Sequence, residues 1–266
     1  MNVVITGGSR GIGRAIALRL AREGANIAIL AKTATPHPKL EGTIYTVADE
    51  INAAGGKAFP FAVDIREEDT LQSVIQTAAE NMGGIDILIN NASAIQLLGT
   101  EALNVKQYDL MMDINVRGSF LATKYCLPYL KNSTNAHIIT LSPPLNLNPR
   151  WFEHHTAYTL SKYSMSLLTI GWAAEYADAG IRANTLWPKT LIATAAIMNM
   201  PGGEDMCRHT RKPEIMADAV MAILNDPESF SGQHLIDEDV LSRTGVTDFN
   251  TYSMVAGAEL IPDLFL

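Results

Sequence analysis

The chain has 266 residues, 47% of them apolar and 18% charged, with a mean hydropathy of +0.08, and that balance builds a globular core rather than a disordered or fibrous chain. A net charge of −8 and a pI near 5.2 leave little basic surface to neutralise phosphates, so nucleic-acid binding is excluded and a small-molecule partner is expected. Apolar stretches such as Ile27–Ala31 are strand-length, far short of the roughly 20 residues a membrane span needs, so no membrane partner is expected. Met1 leads straight into an apolar strand pattern without a basic leader, which places the protein in the cytoplasm. Cys126 and Cys207 belong to no CxxC pair, and His37 and His154-His155 lack ligand spacing, so neither a disulfide framework nor a metal site is predicted.

In chain order, strand-length apolar runs alternate with longer amphipathic stretches. Asn2–Thr6, Ala25–Ala31, Ala58–Asp64, Ile85–Asn90, Ala136–Ser142 and Ile181–Trp187 read as strands. Gly11–Gly24, Tyr45–Ala54, Asp69–Met82, Val105–Leu130 and His155–Ala179 read as the helices between them. Gly24, Gly55-Gly56, Gly83-Gly84 and Gly180 stand where left-handed helix caps are wanted. The alternation predicts an α/β fold, a Rossmann-type doubly wound parallel sheet in a single domain over 1–266. Thr33–Gly42 and Thr190–Arg211 read as long loops. The second, about 190–212, is expected to serve as a substrate loop, and about 239–266 forms a C-terminal extension.

The first strand runs into Gly7-Gly8-Ser9-Arg10-Gly11-Ile12-Gly13, and a helix pattern follows. Glycines let backbone approach a pyrophosphate, and a helix start offers it free amide donors, so this junction predicts a dinucleotide site. At the end of the second strand an NAD site usually carries an acid for the ribose hydroxyl, whereas a 2′-phosphate needs cations. Here the strand ends in Lys32, no acid follows until Glu41, and Arg10 lies in the glycine turn, which together predict NADP(H).

The spacing Thr-Gly-x3-Gly-x-Gly resembles the short-chain dehydrogenase/reductase family. Further blocks follow in the family's order: Asp64 after the third strand, Asn90-Asn91-Ala92-Ser93 after the fourth, Asn115 in Asn-Val-x-Gly, and Tyr158-x3-Lys162. The match spans residues 3 to about 237. The resemblance implies that Asp64 contacts the adenine, that Asn91 and Ala92 lie against the cofactor, and that Lys162 holds the nicotinamide ribose. It also implies that Pro188 and Thr190, with Thr194, meet the nicotinamide, that Asn115 positions a proton-relaying water, and that subunits pair into a homo-oligomer through the helices at Val105–Leu130 and His155–Ala179.

Tyr158 and Lys162 lie one helical turn apart, on one face. Hydride transfer to a carbonyl leaves an alkoxide that needs a proton, and a tyrosine whose pKa of about 10 is lowered by a lysine ammonium and the positively charged oxidised nicotinamide can supply it. Three departures from the family pattern stand out. Alignment puts Ser142 on the first of the family's two strand-end serines and Pro143 on the second, so Ser142 is the catalytic candidate and Asn146 the fallback. Trp187-Pro188-Lys189 replaces the usual Pro-Gly. The segment Ser142–Phe152 lengthens the approach to Tyr158 and, with Pro36-His37-Pro38-Lys39-Leu40, resembles the hydroxysteroid dehydrogenase-like branch of the family without its lipid-carrier domain.

Trp151, Phe152, His154 and His155 are candidates either for a substrate pocket or for a packed loop. Met198, Met200 and Met206 read as a hydrophobic lid because Pro201-Gly202-Gly203 interrupts any helix there. The function implied is hydride transfer between NADP(H) and an alcohol or carbonyl. The alternative is a dinucleotide-binding sensor whose chemistry is lost at Pro143 and Lys189; a non-redox epimerase or dehydratase is disfavoured by the glycine spacing.

Overall fold

The computed structural model describes residues 1–38, 40–226 and 230–266; Lys39, part of the loop motif above, lies outside the described residues. Seven strands form one sheet: β1 (Asn2–Thr6), β2 (Asn26–Ala31), β3 (Lys57–Ala62), β4 (Ile87–Asn90), β5 (His137–Leu141), β6 (Arg182–Trp187) and β7 (His234–Ile236). Their spatial order is β3-β2-β1-β4-β5-β6-β7, and every neighbouring pair is parallel. The helices in chain order are α1 (Gly11–Ala21), α2 (Ile44–Ala53), α3 (Glu68–Met82), α4 (Val105–Met111), α5 (Ser119–Leu130) and α6 (Thr156–Glu175). They continue with α7 (Ala195–Met198), α8 (Gly203–Arg208), α9 (Glu214–Asn225) and α10 (Asp237–Arg243).

A parallel strand buried on both faces must be apolar at consecutive positions, and β1 meets that demand with Val3, Val4 and Ile5, all fully buried. Alternate side chains point to opposite faces. Val3 and Ile5 therefore pack with α1, α2 and α9 through Ile16, Leu20, Val47 and Val220, while Val4 packs with α3, α5 and α6 through Leu71, Ile75, Leu121 and Trp172. Two helix layers thus sandwich the sheet, and the strand order reverses at β1 and β4. Ligands of such folds bind outside the carboxyl ends of the strands at that reversal.

Three stretches differ from the sequence expectation. Val105–Leu130 is one continuous helical run, but Met112–Gly118 within it winds in wide π turns around Asn115. The 190–211 segment is not simply a loop: it carries α7 and α8, separated at Pro201 and at Gly202, which adopts φ +73°. Beyond Arg211, α9, β7 and α10 complete the sheet and one helix layer, none of which was separated by periodicity. The reason is physical: α9 buries most of its surface, so polar residues mark no face, and β7 is only 3 residues long.

Candidate active site

At the end of β1 the chain turns through Gly7, at φ +69°, into α1. A Cβ on Gly13 would stand 2.6 Å from both Asn91 Nδ2 and the Gly7 carbonyl, so the turn and the helix meet at backbone distance. Asn91 braces the same turn: its Nδ2 donates to the carbonyls of Thr6 at 2.9 Å and Gly7 at 3.0 Å. Thr6 Oγ1 in turn accepts from the amides of Asn91 and Ala92, each at 3.1 Å. The first turn of α1 has no side-chain cap, which leaves its amides available.

This turn floors a cleft of about 410 Å³ lined by Gly7, Ser9, Arg10, Gly11, Ile12, Lys32, Asp64, Asn91 and Ala92. Nine sequence-predicted positions are thus brought together, with Gly13 directly behind them. Arg10 reaches across to the Gly42 carbonyl at 3.1 Å, drawing the 33–42 loop over the turn. Arg66 grips Asp64 with two bonds, Nε–Oδ1 at 3.0 Å and Nη2–Oδ2 at 2.7 Å, and Lys32 Nζ stands 3.7 Å from Oδ2. The Arg66 hydrogen bonds outweigh partial burial and hold the Asp64 carboxyl down at about 2, so it is charged at every physiological pH. Arg66 was missed from the sequence because it belongs to no motif.

A second cavity of about 370 Å³ adjoins the first, and Ile12, Asn91, Ser93, Thr194 and Ala196 line both. Tyr158, Lys162 and Pro188 face it. Among the described residues the Tyr158 hydroxyl has no hydrogen-bond partner, whereas Lys162 Nζ donates to the Leu141 carbonyl at 2.7 Å and to Ser93 Oγ at 3.4 Å. Burial pushes the Tyr158 phenol above its ordinary range, with the charge of Asp263 adding to it, and burial lowers the Lys162 ammonium to about 7. In the free chain burial therefore keeps the proton on Tyr158.

Several expected residues fall elsewhere. Ser142 is fully buried with its Oγ 3.0 Å from Ser166 Oγ, and Ser166 donates its hydroxyl to the Pro143 carbonyl at 2.6 Å, so the hydroxyl pair is completed by the Ser142 proton. The strand end thus turns toward α6, and the Ser142 hydroxyl does not open onto the cavity. Asn146 does not line this cavity either: its carbonyl accepts from the Tyr163 hydroxyl at 2.6 Å and its Oδ1 accepts from the Asn148 amide at 3.1 Å. Asn115 spends its side chain on structure: Oδ1 accepts from the Ala94 amide at 2.7 Å, and Nδ2 donates to the Ala94 carbonyl and Ser161 Oγ, both at 2.9 Å. Trp151, Phe152 and His155 form the packed loop, their rings against Phe265, Tyr163 and Tyr158, and His154 faces solvent beside Glu153.

The rest of the second cavity's wall comes from the 190–206 segment, including Met200 and Met206, and from Ile261, Pro262, Asp263 and Leu264, which the sequence did not single out. Lys189 pairs with Glu238 at 2.8 Å, and Glu238 also pairs with the buried Arg211, which fastens this wall to α10. Among the described residues no helix is long and apolar enough to cross a membrane.

A nicotinamide dinucleotide fits these residues. A Cβ at Gly7 or Gly13 would crowd the turn, the free amides suit a pyrophosphate, and among the described residues Thr190 Oγ1 is buried without a partner beside the second cavity's wall. The model of the short chain dehydrogenase family matches residues 1–203. The chain belongs to that family. It is 56% identical to hydroxysteroid dehydrogenase-like protein 2 of Danio rerio over 264 residues, which is 99% of this chain and 63% of that protein. The chain thus spans less than two thirds of the curated relatives it matches. A short chain dehydrogenase of Mycobacterium thermoresistibile superposes with a TM-score of 0.94 at 50% identity, covering 99% of this chain and 94% of that one. More distant neighbours include a metagenomic short-chain oxidoreductase in complex with NADP (TM-score 0.72, 25% identity, 88% of this chain and 96% of that one) and an NADH-dependent reductase complexed with NAD (0.71, 26%, 88% and 93%). The family is one of oxidoreductases that bind a nicotinamide dinucleotide and act on small molecules.

Proposed function

We propose that the protein transfers a hydride between NADP(H) and an alcohol or carbonyl substrate, with Tyr158 as general acid and base. The observation that carries this is the partner-free Tyr158 hydroxyl, which opens beside Lys162 onto an apolar cavity continuous with the glycine-turn cleft. A bound dinucleotide would supply or take up the hydride. Ser9, Gly11, Ile12 and Gly13 would hold its pyrophosphate on backbone amides, and Asp64, Asn91 and Ala92 its adenosine half. Lys162 would hold the ribose, and Pro188 and Thr190 the nicotinamide, where the unpaired Thr190 Oγ1 gains a partner. Arg10 and Lys32, with no acid at the end of β2, favour a 2′-phosphate; Asp64, already neutralised by Arg66, does not repel it.

In reduction Tyr158 gives its proton to the substrate oxygen, and the raised affinity of the buried phenol keeps that proton in place beforehand. Lys162, buried and lowered to about 7, can restore it. Asn115 acts as a positioning residue by fixing the Ala94 loop against α6. Phe120, Leu160 and Leu167 are 45%, 46% and 57% exposed on α5 and α6, which supports a homo-oligomer through these helices. The sensor alternative draws on one observation, the Ser142 hydroxyl turned to Ser166.

The purified chain, given NADPH or NADH and a panel of ketones and aldehydes, is expected to turn over carbonyls with NADPH preferred. Tyr158→Phe is expected to lose about 10²-fold or more in kcat. Tight NADPH binding without turnover of any substrate would favour the sensor, and a preference for NADH would remove the 2′-phosphate assignment.

A further inference from the structure

The catalytic cavity is walled by carbon over most of its surface, through Leu191, Ile197, Met200, Met206 and Ile261. Among its polar side chains besides Tyr158 and Lys162, Asn91 is spent on the glycine turn, Ser93 on Lys162, and Thr194 stands on the wall shared with the glycine-turn cleft. Asp263 is different. Its Oδ1 accepts from the Leu264 amide at 2.7 Å, and among the described residues Oδ2 has no hydrogen-bond partner. The residue keeps part of its surface accessible, and it lines the cavity that holds Tyr158.

The segment that delivers Asp263 is fixed on both sides. The Leu191 amide donates to the Ile261 carbonyl at 2.9 Å, the Asp263 amide to the Lys189 carbonyl at 3.1 Å, and Trp187 Nε1 to the Leu264 carbonyl at 2.9 Å. Phe265, two residues on, is buried between the rings of Trp151, Tyr158, Tyr163 and Trp187 at 5.2–6.3 Å, and it holds φ +77°, a conformation a bulky residue adopts only where packing enforces it. A carboxyl is thus held in the reaction cavity by a rigid strap.

A carbonyl oxygen being reduced has two lone pairs, and developing charge on it is best met by two aimed donors. Tyr158 supplies one. The strand-end hydroxyl expected to supply the other, Ser142, faces Ser166 instead. We infer that Asp263 makes the second hydrogen bond to the substrate carbonyl through Oδ2, and that the cavity thereby selects uncharged carbonyl compounds with an apolar body. The assignment rests on the carbonyl-reducing function proposed above. The Asp263 proton stays on oxygen throughout, so no bond to it forms or breaks.

The surroundings favour the neutral acid. Tyr158 and Lys162 face Asp263 from α6, Asp237 from the head of α10, and the Leu264 amide from its own strap. Burial and the Asp237 charge outweigh the Leu264 amide and Lys162, and they lift the Asp263 carboxyl to about 7. Below that pH it donates; above it a carboxylate meets the carbonyl oxygen and repels it.

The test is calorimetric titration of the full chain with 2-decanone, with and without NADP+, at pH 6 and pH 8. Wild-type affinity should fall about tenfold between the two, the ratio of the protonated fractions on either side of pH 7. Asp263→Asn retains a donor and cannot titrate: it should bind about as tightly as wild type at pH 6 and lose the pH dependence. Asp263→Leu, which fills the space without a donor, should bind about tenfold more weakly at pH 6. The assignment is overturned by pH-independent wild-type binding, by no binding at pH 6, or by an Asp263→Leu affinity equal to wild type. Turnover measured in parallel separates the two claims. Absent turnover with this pH dependence intact removes the reductase function and keeps Asp263, whereas turnover unchanged in Asp263→Leu removes Asp263 alone.

Discussion

The two adjoining cavities are built in opposite ways. The glycine-turn cleft is mainly a construction of the sheet: its floor is residues 7–13, and its walls are the carboxyl ends of β1, β2, β3 and β4 or the residues after them, closed on one side by Ile114 and 194–196. The Tyr158 cavity is a side-chain construction, assembled from α6, the end of β6, the 190–206 segment and the strap at 261–264, segments up to about a hundred residues apart. The first is fixed by the parallel sheet at the centre of the molecule. The second hangs on a few long-range ties, above all Glu238 between Lys189 and Arg211. A scaffold of this kind can hold one ligand constant while the other cavity changes with its side chains.

Glu238→Ala should separate the two most sharply. It strands the Arg211 guanidinium, whose side chain is 8% exposed, at a cost of about 3–5 kcal/mol. Thermal unfolding should shift down by on the order of 10 °C, and KM for carbonyl substrates should rise severalfold, with a smaller rise in the NADPH Kd because Pro188 and Thr190 flank Lys189. An equal loss of both affinities would show that the cavities are not independent.

Gly13→Ala should do the reverse. Its methyl would sit 2.6 Å from the Gly7 carbonyl, an overpacking of about 1–3 kcal/mol that displaces the turn. Calorimetry should find at least a tenfold loss of NADPH affinity with 2-decanone binding retained. The smallest effect is expected from Lys32→Ala, whose side chain is 65% exposed: about 1 kcal/mol, or roughly fivefold, in NADPH affinity, with NADH unchanged.

The same difference decides what could be read beforehand. Val3-Val4-Ile5 and the seven-residue glycine turn are local words, and the strand, the turn and nearly every cleft residue follow from them without knowledge of the rest of the chain. Tyr158 and Lys162 were legible because one helical turn joins them. The direction of the Ser142 hydroxyl was not legible because it depends on Ser166, a partner 24 residues away, and on Pro143. Asp263 carried no signal at all: Ile-Pro-Asp-Leu-Phe has no period, and only the long-range pairing with residues 189–191 brings it to Tyr158. Arg66, two residues beyond Asp64, was within reach of the charge reasoning but lay outside any motif.

Trp187 closes β6 on the wall of the second cavity. Its ring lies 5.1 Å beneath the Lys162 ammonium and 5.9 Å from the Phe265 ring, and its indole N–H is held by Leu264. Of the three tryptophans, Trp187 alone lines the catalytic cavity. The molecule therefore carries a built-in optical reporter: indole emission responds to a nearby charge, so Trp187 fluorescence follows the Lys162 proton and the seating of the strap without any added label.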